Sequence, residues 1–216
     1  MSKTPILIAA GILGAFAVCG VSLVAITQDL TEERIAANER AAMLSKVQAI
    51  IPQDLMDNDP LTDSIEVSNP DLLGSSITSV YRVRNEGKSM AVILNPVVPD
   101  GYAGPMKLLV SVLRDGTLGG VRVLSHHETP GLGDQIEEIK SNWIHAFAGK
   151  SLGDPAEASW KVKRDGGVFD QFTGATITPR AIVKAVKKTL RYVQEQGNAL
   201  YEQPALAKAP EKKGAS

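Results

Sequence analysis

An α+β domain carried behind a single membrane-spanning helix is the architecture this chain predicts, and three observations carry it. An uncharged run, PILIAAGILGAFAVCGVSLVAI, occupies residues 5–26. Short β-rich runs separated by Asn-Glu-Gly and Asp-Gly turns fill the middle. A long amphipathic stretch near the end has helical spacing, and strands do not alternate with helices in βαβ rhythm. The 216 residues are 44% hydrophobic and 22% charged, which excludes a largely disordered chain. With the span set aside, fewer than about 200 residues remain, enough for a single mixed α/β domain.

The opening run is 22 residues long, or roughly 33 Å as a helix, about the thickness of a bilayer core. A cleaved signal would have an apolar stretch of about 7–15 residues behind a richer basic start. Here only Lys3 precedes the run, so it reads as a retained transmembrane helix. A lipid anchor at Cys19 is disfavoured by Val18 just before it, and Cys19 reads as an apolar filler. As the chain's one cysteine, it excludes an internal disulfide, a cysteine metal cage and an iron–sulfur cluster. Redox chemistry would therefore need an organic cofactor or a partner. Lys3 lies on the short side; Asp29, Glu32, Glu33, Arg34 and Arg40 open the long side. Basic residues set topology, and the balance leans to a cytoplasmic N-terminus with the large domain outside, in a bacterium the periplasm. Lys and Arg number 23 against 24 Asp and Glu, a net charge of -1, which argues against nucleic acid as the main partner.

Residues 28–51 read as a helix continuing out of the membrane, with Leu44, Val47 and Ile51 on one face and Pro52 as its stop. Residues 53–74, rich in Asp, Asn and Pro, read as loop. Strands are predicted at 77–83 and 90–94 around Asn85-Glu86-Gly87, and at 108–113 and 118–124 around Arg114-Asp115-Gly116-Thr117. Residues 134–147 predict a helix from Ile136, Ile139, Trp143 and Phe147, ending at Gly149. The last helix is expected to start with Thr178 as N-cap and Pro179 as first residue, burying Ile182, Val183, Val186, Leu190 and Val193 before Gly197. Its basic face, Arg180, Lys184, Lys187, Lys188 and Arg191, reads as a solvated surface. The terminal PALAKAPEKKGAS reads as a disordered tail. The division is 1–27 stub and span, 28–75 juxtamembrane helix and loop, 76–200 main domain, 201–216 tail.

Three segments could carry chemistry. In Asp170-Gln171-Phe172-Thr173-Gly174-Ala175-Thr176, a small turn presents a threonine hydroxyl just ahead of a helix. The unpaired N–H groups and positive end of that helix suit a phosphate. By composition alone this is a capped turn, and no nearby base would activate the hydroxyl. In the 126–134 segment, His126-His127-Glu128-Thr129-Pro130-Gly131-Leu132-Gly133-Asp134, adjacent histidines on a strand point opposite ways, so no metal site is predicted. Gly131 and Gly133 permit close approach to a flat or phosphate-bearing ligand, although a plain turn would look the same. The 100–105 segment, Asp100-Gly101-Tyr102-Ala103-Gly104-Pro105, reads as a loop. Trp143 and Trp160 read as core or wall, and His145 as surface. A hydrolase using Ser125 or His127 lacks a nucleophile–base arrangement, so no catalytic residue is assigned.

Taken in order and spacing, the span, Asp100-Gly101-Tyr102, the 126–134 stretch, Asp165-Gly166-Gly167 and 170–179 resemble the FMN-binding domain of the G subunit of the Rnf (Rsx) ion-translocating electron-transport complex. The related C subunit of the sodium-pumping NADH:quinone reductase shares that domain and is the alternative. The pattern Asp-x-x-Ser/Thr-Gly-Ala-Thr is the specific element. The resemblance implies that Asp170, Thr173, Gly174, Ala175 and Thr176 form the recognition site of a flavin transferase. It also implies that FMN is esterified through its phosphate to Thr176, making the chain a phosphoprotein with covalent flavin. The transferase would then supply the activation that the chain lacks.

The same resemblance implies an electron relay between ferredoxin and NAD, coupled to ion movement, with subunits A, B, C, D and E as partners. The place would be the bacterial inner membrane, with lipid around one span and the C-terminal domain in the periplasm. Thr173, Gly174 and Ala175 are expected to bind the cofactor beside Thr176; Glu128, Thr129, Gly131 and Leu132 are expected to wall the flavin ring, and Phe172 either packs on it or joins the core. A membrane-anchored structural subunit without cofactor is the reading of a different class, and the intact motif at Thr176 stands against it.

Overall fold

The computed structural model describes residues 4–202. The expected tail from 203 onward lies outside these residues. The chain divides into two units, Met1–Ser45 and Lys46–Ser216. Helix α1 (Thr4–Gln48) supplies nearly all of the first. Its large apolar side chains from Leu7 to Ile35, among them Leu13, Phe16 and Leu23, are exposed, whereas Val47 near its end is buried. It is long and apolar enough to cross a membrane, where each backbone polar group is satisfied within the helix and the apolar surface faces lipid.

The second unit is built on a six-stranded antiparallel sheet: β1 (Ser64–Val67), β2 (Thr78–Asn85), β3 (Lys88–Leu94), β4 (Val97–Val98), β5 (Met106–Leu113) and β6 (Leu118–Ser125). The order runs β1-β2-β3-β5-β6, and two-residue β4 pairs with β5 beyond the end of β3. The β2–β3 turn holds Glu86 and Gly87 at φ 50° and 74°, the left-handed pair that a two-residue hairpin loop demands. Both predicted hairpins are present. β1 and the short helix α2 (Pro70–Leu73) lie in the stretch expected to be loop. The side chain of Asn69 caps α2 by accepting from Leu72 N–H, and Pro70 starts it.

One sheet face carries Val80, Val92, Leu94, Val110 and Val121, and helix α3 (Ile177–Gln196) packs there through Ile182, Val183, Val186, Leu190 and Val193. Truncating a fully buried member such as Ile182 to alanine costs about 2–5 kcal/mol. Ile93 and Leu109 are also buried, and Ile50 lies where a side chain on Gly120 would meet it. The basic face of α3 is exposed or half-buried, and its cations are paired: Arg180 with Asp165, Lys184 with Asp100, and Lys187 and Arg191 with Glu157. Short helix α4 (Ala199–Glu202) ends the described chain, and its Tyr201 packs in the core, so order extends past the boundary expected at 200.

Two further expectations are corrected. Residues 134–147 do not form a helix: single 3₁₀ turns at Gly133–Ile136 and Trp143–Phe147 flank an irregular segment. Ile139 is 85% exposed while Ile136 and Phe147 are fully buried, so the three do not share a face. Ser141 supplies the reason. Its hydroxyl donates to Gln135 C=O at 2.6 Å and accepts from Trp143 N–H at 3.1 Å, a local alternative to helical bonding. Second, α3 begins earlier than expected. Thr176 holds the cap position, and Thr178 sits inside the first turn.

Candidate functional site

The start of α3, the 101–104 loop and the 128–133 loop converge on a cavity of about 350 Å³, within the usual range for small-molecule sites. Its wall combines Glu128, Thr129, Leu132 and Gly133 with Gly174, Ala175, Thr176, Ile177 and Thr178, and Tyr102 closes one side. Tyr102, Leu132 and Ile177 are large apolar residues left 68%, 44% and 46% exposed, so the mouth is apolar.

Local turn chemistry presents Thr176. Phe172 C=O accepts from Ala175 N–H at 3.2 Å, closing a turn whose third residue, Gly174, has φ 79°, a conformation that favours glycine. Phe172 anchors this turn in the core, with Trp143 edge-on at 5.3 Å. Trp143 Nε1 donates to Asp170 C=O at 2.8 Å. Thr176 is half-buried, and its side chain makes no capping bond. Thr178 is different: 1% exposed, its hydroxyl donates to Glu128 Oε2 at 2.6 Å.

Glu128 is itself buried, 5% exposed. Its Oε1 accepts from Ala103 N–H at 3.2 Å, and its own N–H donates to His126 Nδ1 at 3.0 Å. His126 Nε2 in turn lies 2.9 Å from Glu137 Oε1. His145 pairs with Glu138 at 3.3 Å. Around the helix start, charges are neutralised in pairs. Arg180 grips Asp165 through two bonds of 2.6 and 2.9 Å, which hold the Asp165 carboxyl below its ordinary pKa and push Arg180 up. Lys184, bonded at 2.8 Å, holds Asp100 down likewise.

Of the residues expected at a site, Glu128, Thr129, Leu132, Gly174, Ala175 and Thr176 border one cavity. Gly131 and Thr173 are exposed on the turns that carry them, outside the lining. Asp170 is exposed and paired with Lys163 at 2.6 Å. Phe172 faces the core rather than the cavity. Tyr102, Ile177 and Thr178 border the cavity without having been assigned to it. The available signal was Tyr102 and Ile177 themselves, large apolar residues beside turn residues and outside any core-facing stripe.

Comparison with known proteins adds two family matches and several relatives. Residues 101–191 match an FMN-binding domain, and residues 1–50 match the RnfG N-terminal region. The chain is 53% identical over 182 residues to the G subunit of the ion-translocating oxidoreductase complex of Pseudomonas aeruginosa (strain UCBPP-PA14), covering 84% of this chain and 85% of that one. It is 45% identical over 193 residues to the G subunit of the same complex from Vibrio atlanticus, covering 89% and 92%. The corresponding Vibrio cholerae protein (strain M66-2) is 44% identical over 194 residues, again covering 89% and 92%.

Proposed function

Because this chain belongs to the family of G subunits of the Rnf ion-translocating oxidoreductase complex, we propose that it is a flavin-carrying electron-relay subunit of such a complex, with FMN esterified through its phosphate to Thr176. The observation that carries this reading is the contrast between two threonines. Thr176 borders the cavity with its hydroxyl outside any capping bond. Thr178, two residues on, is committed to Glu128.

The residues present fit such a group. The cavity has the right scale for a small organic ligand and an apolar mouth for a flat ring. The Thr176 hydroxyl stands at the N-terminal end of a 20-residue helix, whose free N–H groups and positive end favour a phosphate. When bound, the flavin supplies acceptance and release of electrons. The chain's own residues orient it: Tyr102, Leu132 and Ile177 are the apolar surfaces for the ring, and the 172–175 turn aims Thr176. Asp170 and Thr173, exposed beside the acceptor, remain open to a flavin transferase. Helix α1 anchors the chain in the bacterial inner membrane as a single span, with the domain on the periplasmic side and Rnf subunits A to E as partners.

Intact mass of the full chain, purified from cells expressing the transferase, tests the assignment. Wild type carries one FMN increment; Thr176→Ala carries none and melts within a few degrees of wild type, and Thr173→Ala likewise stays folded. Covalent flavin retained in Thr176→Ala would overturn the acceptor.

A further inference from the structure

We propose that Glu128 is a positioning residue of this site, a buried carboxylate that locks two walls of the cavity to the start of α3 so that a ring tethered at Thr176 is held in one pose. The proposal rests on the flavin reading above and goes beyond it, since the carboxylate is assigned to the protein rather than to the ligand. Both of its oxygens are engaged by the chain: Oε2 by the Thr178 hydroxyl at 2.6 Å and Oε1 by Ala103 N–H at 3.2 Å. Three segments distant in sequence therefore meet at one group.

The surrounding glycines fit the same role. A Cβ on Gly133 would stand 2.6 Å from Oε2 and 2.9 Å from the Glu128 Cβ, and one on Gly101 would stand 3.0 Å from Oε1. The backbone comes in to the carboxylate from both sides, and no side chain fits between. A buried carboxylate is costly unless hydrogen-bonded, which explains why two donors are fixed on it. Removing it leaves Ala103 N–H and the Thr178 hydroxyl without their acceptor, and the 101–104 loop that carries Tyr102 loses its tie to α3.

Two variants test this. Glu128→Met keeps the length of the side chain but removes both acceptors, whereas a glutamine could still accept from Ala103 N–H and donate to the Thr178 hydroxyl; Thr178→Val removes only the donor hydroxyl. In the flavin-free Thr176→Ala background of the full chain in detergent, hydrogen exchange of the 101–104 backbone is expected to quicken several-fold with Glu128→Met. In chains that carry Thr176 and flavin, iodide quenching of flavin fluorescence is expected to rise several-fold with either variant, and the visible circular dichroism of the flavin to weaken. Unchanged exchange would show that the tie does not exist. Quickened exchange and a lowered melting temperature with wild-type quenching and dichroism would make Glu128 a packing residue only; either result overturns the proposal. A wild-type chain whose mass shows no FMN removes the premise and overturns both readings, and that failure is told apart by mass alone.

Discussion

Helix α3 has a cavity at each end, and they are nearly equal in size: about 350 Å³ at the start and about 380 Å³ at the finish. Their chemistry is opposite. At the finish, Arg114 lies 4.2 Å above the Tyr201 ring and donates to Asn198 Oδ1 at 2.7 Å. The Asp115 carboxylate there is engaged by the Thr117 N–H and hydroxyl, and Ser151 Oγ accepts from the N–H groups of Gly153 and Asp154. A guanidinium near a helix C-terminus also complements the negative end of the helix dipole. At the start, a hydroxyl stands at the positive end without a capping bond, beside exposed apolar side chains. Volume alone would favour the far cavity; an uncapped hydroxyl at a helix N-terminus distinguishes the near one.

The largest effect that would sharpen this contrast comes from adding one methyl group at each end. Gly133→Ala places a Cβ 2.6 Å from the Glu128 carboxylate and 2.9 Å from its Cβ. The carboxylate tip could swing, but the Cβ is tied to the backbone, so the loop itself must shift. Overpacking of this kind costs about 1–3 kcal/mol, and flavin loading is expected to fall with it. At the other end, a Cβ on Gly153 meets nothing nearer than Ser151 Oγ at 3.8 Å, so Gly153→Ala should stay within about 0.5 kcal/mol of wild type with full loading. Chemical denaturation and intact mass read both quantities. Equal costs at the two ends would break the comparison.

Most of the frame was legible from sequence, because its signals are local. The Asn85-Glu86-Gly87 and Asp115-Gly116 turns lie between apolar runs and announce their hairpins, and the stripe from Ile182 to Val193 announces α3. What was not legible depends on partners far along the chain. β1 is four residues long and exists by pairing with β2. The 134–147 segment has helical spacing, yet the Ser141 hydroxyl captures the groups a helix would use, and Ile139 is left in solvent. Thr178 has the sequence signature of a cap before proline, but its hydroxyl goes to a carboxylate 50 residues away. The motif around Thr176 pointed to a ligand, whereas the grouping of Tyr102 with Ile177 is a product of the fold.

A smaller effect is expected from Arg114→Ala, which tests whether the far cavity is structural. The variant loses the contact over the Tyr201 ring and the bond to Asn198, together about 1–2 kcal/mol for an exposed guanidinium over a buried ring with its hydrogen bond. Flavin content by mass should remain that of wild type. Loss of flavin with unchanged stability would instead make this end part of the functional site.

The smallest effect separates the two ends by pH. Asp165 and Asp100, beside the start of α3, are held below the ordinary carboxylate pKa of 3.8 by bonds from Arg180 and Lys184. Their stabilising contribution is present above 3.8 and is lost as pH falls through the depressed native value. Tyr201, at the far end, is raised above its ordinary 10.0 by burial. Its contribution is complete below 10.0 and is lost as pH rises through the raised native value. Asp115 is also held down, by the Thr117 hydroxyl and N–H, so acid reaches both ends and the wild-type curve alone cannot separate them. Single variants can. Asp165→Asn should flatten the acid limb of a melting-temperature profile and leave the alkaline limb alone, while Tyr201→Phe should do the reverse. The acid effect stays small because the Asp165–Arg180 pair is open to solvent, where salt screens it. Repeating the acid limb at high salt should shrink the difference between wild type and Asp165→Asn, and a difference that persisted there would mean that the start of α3 is held by something other than this exposed pair.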